Sequence, residues 1–133
     1  MKSLLVFILL LPLTLFSYTI TPTVPGHFCT PSNPDFDGYR YPEQIPHCKR
    51  NVSSAMKDQV CREEGVPVRT QDYTVDHIIP LSLSGSNDRM NLWCQHVSLN
   101  VTRLEYQMYT LVRNGDMPVE EAIKILLDKK FNR

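Results

Sequence analysis

Residues 73–93, YTVDHIIPLSLSGSNDRMNLW, set an Asp76-His77 pair within an alternating apolar run, then a turn-rich loop, then Asn91-Leu92-Trp93. Tyr73 to Leu83 is rich in branched residues, and Gly85, Ser86, Asn87 and Asp88 are turn formers, so the stretch predicts a hairpin-like strand pair with a wide loop. An acidic residue that can hold a metal, beside an imidazole that can take a proton, is the minimum equipment for hydrolysing a phosphodiester with a divalent ion. A lone His beside an apolar strand is more often structural than catalytic. It is the order of Pro80, the turn and Asn91-Leu92-Trp93 around this pair that lifts it.

Outward from this stretch the spacing turns helical. Val52, Met56 and Val60 recur every four residues, Ser53 can cap them, and Gly65 with Pro67 ends the run, which predicts a helix over about 53–63. Val101, Leu104, Met108, Leu111 and Val112 predict a second helix between Leu99 and Val112, stopped by Asn114-Gly115. Asp116 and Pro118 suit the start of a third, with Glu120 and Glu121 at its beginning, Lys129 and Lys130 at its end, and Ile123, Leu126 and Leu127 on its buried face. Thr21 to Pro46 holds most of the prolines, so residues 18–46 read as an irregular arm before a domain over 47–133. The expected class is a small single α+β domain.

Met1 to Ser17 carries one Lys and then a nearly unbroken apolar run, the pattern of a removable secretory signal over residues 1–17. That run is shorter than the ~20 residues a membrane span needs, so no membrane association is expected after its removal. Export, to a periplasm or the medium, favours disulfides among Cys29, Cys48, Cys61 and Cys94. Three connectivities are open, and proximity favours Cys29 with Cys48 and Cys61 with Cys94. The spacings lack the close Cys-x-x-Cys pairs usual in thiolate zinc sites. With 14 basic and 14 acidic residues the chain has no net charge, which argues against a tight non-specific nucleic-acid binder. Arg40, Lys49, Arg50, Lys57, Arg62 and Arg69 could still form a local basic surface.

The motif Val75-Asp76-His77-Ile78-Ile79-Pro80 through Asn87-Asp88, followed by Asn91-Leu92-Trp93, resembles the HNH endonucleases of exported bacterial type, whose core is the ββα-metal or His-Me finger. The resemblance extends over about residues 50–130 through Arg50-Asn51-Val52-Ser53, Arg103-Leu104-Glu105 and the Gly115 to Ala122 turn-helix. It implies His77 as general base, Asp76 as metal ligand, Asn91 as the residue that holds the loop, and Glu105 as the ligand on the helix. It implies a divalent ion, magnesium foremost and manganese or zinc as alternatives, and a nucleic-acid substrate, DNA ahead of RNA. Arg89 and His96 are further candidates for phosphate or metal contact. Two departures stand out: Val101-Thr102 where such proteins have Lys-Asp, and Ser84-Gly85 where they have two glycines. No appended module reads base edges, so low sequence specificity is expected, and no protein partner is identifiable. The rival readings are a finger that binds without cutting, and a small disulfide-stapled exported interaction protein.

Overall fold

In chain order the elements are β1 (Phe36–Arg40), β2 (Ile45–Cys48), α1 (Ser54–Glu63), β3 (Tyr73–His77), β4 (Leu92–His96), α2 (Thr102–Arg113) and α3 (Val119–Phe131). They come from a computed structural model that describes residues 26–66, 71–99 and 101–131. The expected secretory signal and the first part of the arm lie outside the described residues. The class is α+β, in one domain, with two antiparallel two-stranded sheets among the described residues.

Each helix begins and ends for a local reason. The Ser53 hydroxyl accepts from the Met56 N–H at 3.1 Å and starts α1, which stops before Gly65 at φ +83°. The helix expected from Leu99 begins at Thr102, because 97–99 winds into a single 3₁₀ turn first. The N-terminus of α3 is capped from the arm, where the Glu43 carboxylate accepts from the Val119 N–H at 3.0 Å.

Strand β3 pairs with β4 so that Tyr73 faces His96, Val75 faces Cys94, Asp76 faces Trp93 and His77 faces Leu92. Side chains alternate across a strand, so Val75, His77, Leu92 and Cys94 share one face and Asp76 and Trp93 the other. The first face packs on Val60 and Cys61 of α1. The second meets the end of α3, where the Phe131 ring lies 4.8 Å from the Trp93 ring, centre to centre. A larger core joins α2 and α3 to Ile79 and Leu83 of the 78–91 loop.

The arm is irregular over 26–35, and then Phe36 to Cys48 pairs into β1–β2, so a boundary at residue 46 would cut through β2. Its prolines tolerate pairing because Pro42 sits in the turn and Pro46 lies in a sheet that has two strands among the described residues, both of them edges. The arm is fastened to the loop: Cys29 N donates to Ser84 O at 2.7 Å, Ser86 N to His27 O at 3.0 Å, and the Tyr41 hydroxyl to Ser82 O at 2.7 Å. Disulfides join Cys29 to Cys48 and Cys61 to Cys94, the second tying α1 to β4. Two bridges fit an oxidising compartment, and among the described residues no helix is long and apolar enough to cross a membrane.

The Ser84-Gly85 pair shows what the loop demands. A Cβ at Gly85 would overlap the Ile79 carbonyl, so only glycine fits there. Ser84 sits at φ +70°, a conformation that glycine adopts without penalty and L side chains do not. Ser84→Gly should therefore raise stability by about 1 kcal/mol, whereas Gly85→Ala should lower it severely. Urea unfolding of the two variants checks both signs.

Candidate functional site

Asn91 closes the loop around which the site is built. It is fully buried; its Oδ1 accepts from Ile79 N at 2.9 Å and His27 N at 3.3 Å, and its Nδ2 donates to Ile79 O at 2.9 Å and Ser86 O at 2.8 Å. Four contacts use the amide's whole capacity. They also explain why β3 ends at His77, two residues before Ile79: the N–H and C=O of Ile79 go to one side chain instead of a strand partner.

At that strand end Asp76 and Glu105 meet the same cation, the ammonium of Lys130 from the last turn of α3. Lys130 Nζ lies 2.8 Å from Glu105 Oε1 and 3.6 Å from Asp76 Oδ2, and it donates to His77 O at 2.8 Å and Ile78 O at 3.1 Å. The Glu105 contact is poorly directed for a hydrogen bond, so its attraction is chiefly that of charge. The Lys130 side chain has no exposure, while about a quarter of each carboxylate side chain remains exposed, 25% for Asp76 and 23% for Glu105. Burial raises the pKa of Glu105, against the pull of Lys130, and Asp76 adds to the rise.

His77 is 3% exposed, and burial holds its imidazole below the ordinary value despite the opposing contact of its Nε2 with Asn87 Oδ1 at 3.1 Å. The ring is therefore neutral near pH 7. Arg50, which is exposed, acts electrostatically on both His77 and Glu105, as do Asp76 and Lys130 on His77, so these charges form one cluster.

Arg89 and His96 lie outside this cluster. Arg89 is taken up by α1: its Nε donates to Glu63 Oε2 at 2.6 Å, its Nη1 to Leu92 O at 2.9 Å, and Glu64 lies 3.8 Å away. That makes it a strap between loop and helix. His96 is four residues along β4 from the partner of His77, about 13 Å at ~3.3 Å per residue. Its Nδ1 contacts the Ser98 hydroxyl at 2.7 Å and its ring meets the edge of Tyr73. Sequence reasoning passed over Lys130, which reads as an ordinary helix-end lysine, and Asn87, which reads as a turn former.

Among the described residues no group of three or more His, Cys, Asp and Glu side chains gathers as a metal site. Magnesium does not need one, since it binds through one or two carboxylates and completes its shell with water and phosphate oxygens. Two carboxylates without an imidazole or thiolate suit such a hard ion and do not suit zinc. The ion would reach Asp76 and Glu105 from their exposed sides, and Lys130 leaves them a net charge of one negative to attract it.

No family model, curated protein or solved structure matches the chain.

Lys130→Met leaves two carboxylates facing each other without their cation and should cost about 3–5 kcal/mol of stability at pH 7, read by urea unfolding. The lowered pKa of His77 has a definite sign: it contributes stability above the ordinary imidazole value of about 6.5 that is lost as pH falls through the lower folded value. His77→Gln should flatten that acid-side loss between pH 7 and 5, measured by urea midpoints in chelator.

Proposed function

We propose that the chain is an exported endonuclease that hydrolyses nucleic-acid phosphodiester bonds with a divalent ion, DNA ahead of RNA and with little sequence preference. The observation that carries this reading is the convergence of Asp76 from β3 and Glu105 from α2 on the Lys130 ammonium, at the strand end whose opposite face carries a neutral His77 that feels the charges of Asp76 and Lys130. The resemblance of residues 73–93 to the HNH signature points the same way. His77 accepts the proton of the attacking water as its oxygen bonds to phosphorus. The bond to the 3′ oxygen breaks, and that oxygen takes a proton from solvent, leaving a 5′ phosphate and a 3′ hydroxyl. A bound ion on Asp76 and Glu105 supplies positive charge to the phosphate and the departing oxygen. Arg50 draws the phosphate in, Lys130 keeps the two carboxylates together, and Asn91 holds the loop that follows His77. Both disulfides and the apolar leader favour a periplasmic or secreted location.

A second reading has its own observation. The ammonium of Lys130 already lies between the acidic pair, and His77 is nearly covered, as expected of a finger that binds without cutting. Plasmid nicking separates the two. The oxidised protein with magnesium should convert supercoiled DNA to nicked circles, and chelator or His77→Ala should reduce the rate at least about 100-fold, the lower range for loss of a general base. Equal nicking by His77→Ala, or none by the wild type in magnesium or manganese, would remove the endonuclease reading.

A further inference from the structure

The His77 ring is held by a residue to which the resemblance assigns no role, Asn87. Its Nε2 lies 3.1 Å from Asn87 Oδ1, and the hydrogen in that contact is decided one step further out. Asn87 Nδ2 donates to the Lys49 carbonyl at 2.6 Å and to Asp35 Oδ2 at 3.1 Å, while Asn87 Oδ1 accepts from Asn51 N at 3.2 Å. Turning the amide over would set its oxygen against a carboxylate and a carbonyl, and its NH₂ against an N–H. The amide orientation is therefore fixed, and Oδ1 can only accept. In the neutral ring Nε2 must then carry the hydrogen, and Nδ1 holds the free lone pair.

Asp35 and Lys49 bracket the open end of β1–β2, where Lys49 N donates to Asp35 O at 2.9 Å. Asp35 Oδ1 also accepts from Asn51 Nδ2 at 2.7 Å, so the carboxylate grips two amides at once. We infer that Asn87 is a positioning residue for His77, clamped by Asp35 and the Lys49 carbonyl, and that the arm hairpin is thereby a working part of the site. The inference deepens the endonuclease reading by giving the base its orientation, but the state of the ring does not depend on whether DNA is cut.

The test is NMR of the ring nitrogens in ¹⁵N-histidine-labelled, oxidised, metal-free protein near pH 7, paired with nicking kinetics. The wild type should show His77 protonated at Nε2 and bare at Nδ1, with a slowly exchanging Nε2 proton. Asp35→Ala should release the clamp, so that this proton exchanges fast while the signals of His27, His47 and His96 stay in place. In magnesium its kcat should fall about 10- to 100-fold with KM changed less than about twofold, the effect of losing an outer partner of a working side chain. Asn87→Ala should repeat the pattern; if it does not fold, Asp35→Ala still decides. A wild-type ring protonated at Nδ1, or an Nε2 proton unaffected by Asp35→Ala, overturns the inference. Wild-type protein with the expected ring state but no cleavage sinks the endonuclease reading and leaves the clamp standing.

Discussion

A buried ammonium tolerates no vacancy in its surroundings, and the site is assembled around one. Moving a lysine out of water costs several kcal/mol unless oxygens replace its hydration. Lys130 obtains them from three parts of the chain: the Glu105 carboxylate on α2, the Asp76 carboxylate on β3, and the carbonyls of His77 and Ile78 where that strand ends. The position of Nζ is set by α3, whose Ala122, Ile123, Leu126 and Leu127 lie in the main core. The neighbouring Phe131 rests on Trp93, directly across from Asp76. Core packing thus fixes the helix, the helix fixes the ammonium, and the ammonium brings two acids from separate elements to one point. The same charge opposes the push of burial toward the neutral form of Glu105, without cancelling it.

The two sides of the hairpin are handled separately. On one, Asp76 is paired with α2 and α3. On the other, His77 is buried with its Nε2 against Asn87 Oδ1. Asn91 makes this division possible by taking over the backbone of Ile79, which lets the strand stop after His77 while the loop stays closed. The arm contributes to both sides, through His27 at Asn91 and through Asp35 and Lys49 at Asn87.

Much of this was legible in the sequence where local pattern decides the outcome. Ser53, Gly65 and the four-residue spacing of Val52, Met56 and Val60 located α1, and the expected pairs, Cys29 with Cys48 and Cys61 with Cys94, are the ones that form. What escaped the reading depends on long-range packing. Proline count marked the arm as irregular, yet a two-stranded sheet leaves edges on which Pro46 costs little. Arg89 looked like a free loop arginine because its partners, Glu63 and Glu64, lie on a helix far upstream. His96 follows Trp93 closely in sequence, but strand extension carries it away from His77. Lys130 was read as complementing the dipole of its own helix, since nothing local shows that α3 ends over Asp76.

The proposed chemistry needs a divalent ion held by Asp76 and Glu105 at the end of β3. Titrating manganese into ¹⁵N-labelled oxidised protein, and reading which amide signals broaden, tests it most directly. The account predicts saturable broadening centred on residues 76, 77 and 105 and reversed by excess magnesium. Broadening centred elsewhere, or none at millimolar manganese, would contradict it.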